Sequence, residues 1–132
     1  MKLLIASAVA VLLASSCGDK KKDYSGAAGT CTTTMPVIGE TCAAYSYSAK
    51  DQKEDPKATV QTQLETSCKA QSGTWSATGT CTTTGSLGSC SLTSTSGDAT
   101  VTGSIYYYTS EALTTEIVQA SCTSDGGTFT AP

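Results

Sequence analysis

The chain of 132 residues contains no histidine, no arginine and no asparagine. Without histidine, neither a Ser/His/Asp nor a Cys/His catalytic pair can form, and no imidazole is available to bind a metal ion. Without arginine there is no bidentate clamp for phosphate, and the net charge of -3 does not attract a polyanion. We therefore expect no nucleic-acid partner and no enzyme of the histidine-dependent classes.

The sequence also has little apolar material for a core. Beyond residue 16, only 12 residues are Leu, Ile, Val or Phe, whereas Ser and Thr number 42 in the whole chain. An ordinary globular domain has a larger apolar share. A fold built from this composition needs a second source of stability.

The N-terminus has the pattern of a signal peptide. A positive start at Lys2 is followed by an apolar and small-residue run over positions 3–14. This run is too short to cross a bilayer, which takes about 20 residues. Small residues follow it, as expected before a cleavage site. We predict that residues 1–16 are removed from the mature protein.

The segment LASSC at positions 13–17 resembles the lipobox of bacterial lipoproteins, although Ala14 stands where Leu is usual. The resemblance implies that the thiol of Cys17 receives a diacylglycerol and that its new amine is acylated. Gly18 after the cysteine resembles outer-membrane sorting in enteric bacteria. The implied location is the outer membrane, with residues 17–30 as a flexible tether. The alternative is ordinary cleavage at the same position, which gives a soluble secreted or periplasmic protein.

The remaining cysteines are six in number, and an even number in an exported chain predicts disulfides. They are Cys31, Cys42, Cys68, Cys81, Cys90 and Cys122. No C-x-x-C occurs, so neither a zinc ribbon nor a thioredoxin-like site is indicated. We expect no metal site and no organic cofactor.

Two sequence matches predict a tandem duplication into units of about 31–78 and 81–132. The hexapeptide GTCTTT at positions 29–34 recurs at 79–84, and a Ser-Cys pair followed by Gly-Thr-aromatic recurs with the same spacing at 67–75 and 121–129. The repeated unit resembles Cys-rich repeats of predicted bacterial lipoproteins, a likeness that implies no defined activity.

Each predicted unit holds three cysteines, so at least one disulfide must join the two units. The pairing that we favour is Cys42–Cys68, Cys90–Cys122 and Cys31–Cys81. A rival pairing joins Cys68 to Cys81 and leaves Cys31 to bond with Cys42 or Cys122.

Each unit is predicted to run strand, strand, helix, strand, which gives a small disulfide-rich α+β domain. Helices are predicted over 57–71, with Asp55 as N-cap, and over 110–124, and short strands over 74–76 and 128–130. Tyrosine-bearing strands are predicted within 43–48 and 99–109. The inner stripe of the first helix is predicted as Val60, Leu64 and Cys68, and that of the second as Leu113, Ile117 and Ala120.

Two groups of residues are candidates for chemistry. The ionisable cluster of Asp51, Lys53, Glu54, Asp55 and Lys57 could supply an acid and a base or Ca²⁺ ligands, but a solvated loop with a helix cap is the favoured interpretation.

The second group is the aromatic run Tyr106, Tyr107 and Tyr108. In a strand its side chains alternate between faces, so part of it could form a binding surface, although a structural role is favoured. The expected function is therefore a non-enzymatic structural or binding module of the envelope, with an unidentified protein or envelope partner. A secreted binding protein and a small hydrolase are the alternatives.

Overall fold

The computed structural model describes residues 20–132, so the predicted signal peptide and Cys17 lie outside the described residues. The elements follow the chain as β1 (Lys22–Met35), β2 (Gly39–Gln52), α1 (Lys57–Ala70), β3 (Thr74–Ser76), β4 (Ser86–Ser96), β5 (Ala99–Tyr108), α2 (Thr115–Ser124) and β6 (Thr128–Thr130). The protein is a small disulfide-rich α+β domain, as the sequence predicts.

All six strands form one antiparallel sheet in the order β3-β1-β2-β5-β4-β6. The hairpins β1–β2 and β4–β5 meet along β2 and β5 at the centre. After each hairpin, the helix carries the chain back, so that a three-residue strand pairs outside the first strand of that hairpin.

Both helices cover the same face of the sheet. Cys31, Ala43, Ile105 and Cys90 lie directly opposite one another across β1, β2, β5 and β4, so their side chains share one face. Cys31 is bonded to Cys68 in α1, and Cys90 is bonded to Cys122 in α2. No helix formed by residues 20–132 lies on the opposite face of the sheet.

The core lies between the helices and this face, and cystines make up much of it. Cys31, Cys68, Cys90 and Cys122 are buried together with Ala43, Ile105, Tyr107 and Val118. Under α1, the buried Val60 and Leu64 pack with Ala28, Tyr47 and Val101. The predicted α1 stripe of Val60, Leu64 and Cys68 is confirmed.

The cysteines form three disulfides, but only one bond of the favoured pairing is correct. Cys90–Cys122 is present, whereas the other bonds are Cys31–Cys68 and Cys42–Cys81, so the favoured Cys42–Cys68 and Cys31–Cys81 and the rival Cys68–Cys81 are all wrong. Ala43 lies opposite Cys31, on the helix side of the sheet. Its neighbour in the chain, Cys42, therefore points to the other face and cannot reach α1. One disulfide, Cys42–Cys81, joins residues 31–78 to residues 81–132, as parity requires.

Two boundaries and one helix face differ from the sequence predictions. Residues 22–30, expected within a flexible tether, belong to β1 and include the fully buried Ala28, which packs under α1. The helix α2 begins at Thr115 rather than near 110, because Thr114 caps it by accepting the N–H of Ile117. Its buried residues are Val118 and Cys122. The predicted inner stripe is wrong for Ile117, which is 49% exposed, and for the exposed Ala120, whereas Leu113, which precedes the helix, packs against the core.

The cap of α1 also differs slightly from its prediction. Pro56 occupies the N-cap position, and its side chain makes no capping hydrogen bond. Asp55 still serves the helix start, because its Oδ1 accepts the backbone N–H of Lys57 at 3.0 Å.

The hexapeptide match at 29–34 and 79–84 does not extend to conformation. Residues 29–34 lie in β1, whereas 79–84 belong to an irregular connection. Gly29 instead shares its local geometry with Gly88. Both have positive φ, 133° and 126°, at a shift of strand register, and each is covered by an aromatic side chain, Trp75 or Phe129.

Candidate functional site

The face of the sheet opposite the helices carries an array of hydroxyl groups. The cross-strand pairs place eight Ser and Thr side chains of β2, β4 and β5 on this face. We call this set the hydroxyl face: Ser46, Ser48, Ser91, Thr93, Thr95, Thr100, Thr102 and Ser104. It occupies the part of the sheet nearest the β4–β5 turn.

The hydroxyls of β4 and β5 are paired in three rungs. The two Oγ atoms of Ser91 and Ser104 are 2.8 Å apart, and the Oγ1 atoms are 3.1 Å apart both in Thr93–Thr102 and in Thr95–Thr100. In each rung one hydroxyl donates to the other, so the second O–H remains able to donate outward. The rungs therefore hold donors and acceptors at repeating positions, about 6.7 Å apart along the strand.

The strand β2 widens this array by a third column. Ser46 lies opposite Thr102, and Ser48 lies opposite Thr100, and both serines are exposed. Neighbouring strands lie about 4.8 Å apart, so adjacent columns are within reach of one extended ligand. The array is a sheet surface rather than a pocket.

No charged residue interrupts the array. The strands β4 and β5 contain no Asp, Glu or Lys. In β2, Glu40 lies at one end of the strand, and Lys50 and Asp51 lie at the other. Lys50 follows Ser48 by two residues and therefore borders the array on the same face, but recognition within the array itself rests on hydrogen bonds and contact.

The connection between β3 and β4, residues 77–85, crosses the remaining part of the same face. It is fixed at Cys81 by the disulfide to Cys42, and the hydroxyl of Tyr108 donates to the carbonyl of Thr82 at 2.8 Å. A cleft of about 300 Å³ lies beside it, lined in part by Thr30, Ala44 and Tyr106. The connection leaves the hydroxyl face open.

The three consecutive tyrosines are divided between the two faces. Tyr107 is buried on the helix side, and burial first, then the charge of Asp125, raises its pKa to about 12. Tyr106 and Tyr108 are half-buried on the other side. The pKa of Tyr108 is raised by burial and by the nearby Glu40 and Tyr106. The two side chains border the crossing connection rather than form an open aromatic platform.

The ionisable cluster before α1 has structural partners. Asp55 accepts the hydroxyl of Tyr47 at 2.7 Å, in addition to the N–H of Lys57, and the N–H of Asp51 donates to Asp23 at 3.0 Å. Within residues 20–132, no group of three or more His, Cys, Asp or Glu side chains is placed to hold a metal ion. The arrangement supports the turn and the start of α1.

A second exposed surface lies at the opposite end of the β1–β2 hairpin from Lys22. Val37, 71% exposed, and Ile117, 49% exposed, flank a shallow apolar groove of about 350 Å³ beside α2. Ile38 and Leu113 complete its floor. Ser121, Ser124 and Asp125 also line it.

No protein-family model matches the sequence, and no curated protein or solved structure shows significant similarity to it. In the described part of the chain, no helix is long and apolar enough to span a bilayer. The hydroxyl face is therefore interpreted from its geometry and chemistry.

The sequence contained part of the signal for the hydroxyl face. Thr100, Thr102 and Ser104 alternate with apolar positions, which predicts a strand with one hydroxylated side. The contribution of β4 was not predicted, because Leu92 is the single apolar residue among residues 91–96 and the alternation is lost there.

Proposed function

We propose that this protein is a lipid-anchored, non-enzymatic binding module of the bacterial cell envelope, and that its hydroxyl face binds a neutral glycan. The single observation that carries the ligand class is the three-column array of uncharged hydroxyl side chains on one face of the sheet. The lipid anchor at Cys17 is supported by the LASSC segment alone.

A neutral glycan matches this surface in its chemistry. Its hydroxyls are both donors and acceptors, like those of the rungs Thr93–Thr102 and Thr95–Thr100. The side chains are already ordered by their mutual hydrogen bonds and by the strands, so binding costs little conformational entropy. An extended polymer can contact several rungs at once, whereas a small molecule has no pocket here.

We further propose that the domain arose by duplication of a strand-strand-helix-strand unit. The support is the pair of matched disulfides, Cys31–Cys68 and Cys90–Cys122, each of which ties the first strand of a hairpin to the following helix. Gly29 under Trp75 and Gly88 under Phe129 add a second match. In this alignment residues 29–31 correspond to 88–90, and Cys81 has no counterpart.

Glycan binding is tested by affinity electrophoresis of the purified protein in detergent, in native gels that contain a neutral soluble glucan. We expect retardation by the neutral polymer that is retained at high salt. The double variant Thr93→Val/Thr102→Val removes one rung without changing side-chain volume or leaving an unpaired hydroxyl. It should weaken binding about tenfold, since each lost hydrogen bond costs about 0.5–1.5 kcal/mol.

The matched control is Thr66→Val, an exposed threonine on α1, away from the sheet face. It should bind like the wild type. Retardation that is absent across a panel of neutral soluble glucans, or equal in all three proteins, contradicts the proposed ligand. Binding that disappears with added salt contradicts a charge-free mode of recognition.

A further inference from the structure

The outer edge of β4 is unpaired over residues 92–96. β6 pairs only with Ser89, Cys90 and Ser91. No other strand of the described residues lies beside the rest of β4, and Thr93, Ser94, Thr95 and Ser96 are all exposed. Exposed edge backbone offers free N–H and C=O groups to another strand.

The corresponding edge of β1 is protected. Lys22 and Asp23 place charges on it, and the side-chain amide of Gln61 donates to the carbonyl of Ala28 at 2.9 Å. The strand β4 contains no charged residue and no proline. Natural proteins protect edges that must stay single, so an unprotected edge indicates a pairing surface.

We propose that a second copy of this chain pairs with the β4 edge in antiparallel fashion, around a twofold axis that passes through Ser94 perpendicular to the sheet. In this register Ser94 lies opposite Ser94 of the second copy, and Thr93 lies opposite Thr95. The two sheets then continue as one, with both hydroxyl faces on the same side.

The second copy is the occupant that the side chains favour. Within one copy, the hydroxyl pairs Thr93–Thr102 and Thr95–Thr100 end at the β4 edge. In the dimer, Thr93 of each copy would lie opposite Thr95 of the other, which continues the row of hydroxyl pairs across the twofold axis. A neutral segment of small polar residues is self-complementary, whereas it offers nothing to select a charged peptide. An isologous twofold contact also closes, so it yields a dimer and not a fibre.

The register is tested by disulfide trapping of the full chain. In the dimer, Ser94→Cys places two thiols at directly opposed positions, with Cα atoms about 4.5–5.5 Å apart, which suits a disulfide. Ser96→Cys is the matched control, because its two copies would lie four residues apart along the edge, about 13 Å. We expect Ser94→Cys to form an oxidised dimer at least tenfold faster. Equal rates, or no dimer from either variant, overturn the proposal.

The contact itself is tested by sedimentation velocity of the protein over a concentration series. The wild type should show a reversible monomer–dimer equilibrium, and Ser94→Lys should be monomeric because it places like charges opposite each other. Thr66→Lys, with the same charge change on α1, should dimerise like the wild type. A monomeric wild type at every concentration, or a dimer that persists in Ser94→Lys, overturns the proposal. Ser94 is not part of the hydroxyl face, so glycan binding by the Ser94→Lys monomer separates this result from the proposed ligand.

Discussion

Cys42 and Cys81 are joined by a disulfide across 39 residues of sequence, with their Cα atoms 5.7 Å apart. This bond differs from the other two in its position, because it lies on the helix-free face and joins a central strand to an irregular connection. It holds the connection of residues 77–85 over one part of that face, and the hydroxyl face lies beside the covered part.

Removal of this bond by Cys42→Ser/Cys81→Ser should destabilise the domain without undocking either helix. In the chain-entropy model, a closed loop of this length contributes roughly 4 kcal/mol. Denaturant unfolding measured by circular dichroism should show this loss, with the native helix content unchanged. The comparison is Cys31→Ser/Cys68→Ser, because the Cys31–Cys68 bond that it removes closes a loop of similar length. That variant should in addition lose hydrogen-exchange protection in α1, and equal protection in both variants would contradict the assigned roles.

Substitution of Gly29 or Gly88 by Ala should be strongly destabilising. An added Cβ would lie 2.6 Å from the ring of Trp75 or Phe129, and the φ angles of 133° and 126° disfavour a side chain. We expect a loss of about 1–3 kcal/mol in the free energy of unfolding for each. Gly26→Ala is the control, because it lies in the same strand as Gly29 with its nearest contact at 3.7 Å. If Gly26→Ala and Gly29→Ala are equally stable, the close packing of Trp75 is wrong.

The stability of the domain should fall between pH 10 and 12. Tyr47 is buried and donates to Asp55, and its pKa is raised to about 12 by burial first and then by that carboxylate. The unfolded chain releases this proton near pH 10, so it binds fewer protons than the folded chain in this range, and the free energy of unfolding decreases as pH rises. The stabilisation is complete below about pH 10.

Ultraviolet absorbance of tyrosinate, recorded together with circular dichroism, measures this transition. Late-titrating tyrosines should ionise only as the fold is lost. In Tyr47→Phe one such group disappears, and the decline in stability over the same pH range should be shallower. Ionisation of all tyrosines near pH 10 in a folded protein would show that the burial of Tyr47 and Tyr107 is overstated.

Cys17 should be lipidated in a bacterial host. Labelled palmitate is expected in the wild type and not in Cys17→Ser, and only the wild type should partition into the detergent phase. Equal labelling of both proteins, or labelling of neither, removes the membrane assignment while leaving the fold and the hydroxyl face unaffected.

Short-range patterns predicted the elements well where one face is buried. The aromatic strands at 74–76 and 128–130 were predicted with the observed bounds, and α1 ends within one residue of its prediction. Val60, Leu64 and Cys68 recur every four residues, and the burial of one helix face imposes that period. The same reasoning failed for α2, where Ile117 is the more apolar residue but Val118 shares the face of Cys122.

Disulfide pairing depended on a quantity that sequence periodicity does not supply, namely the register between strands. A shift of one residue between β1 and β2 would exchange the faces of Cys42 and Ala43 and thus change which cysteine can reach α1. The hydroxyl face depends on the same register across three strands. The hexapeptide match was misleading for another reason: Thr is common in both strands and connections of this chain, so identity of letters did not imply identity of conformation.

The start of β1 at Lys22 limits how far this protein can act from its anchor. If Cys17 carries the lipid, only residues 18–21 separate it from the first strand, and five residue steps of about 3.5 Å span at most roughly 18 Å. The strand itself is 14 residues long, so the β1–β2 hairpin reaches about 46 Å further. The distance between the bilayer and the domain would therefore be limited by this short linker. With the proposed lipid anchor and ligand, the glycan that it binds would lie in a layer close to the bilayer.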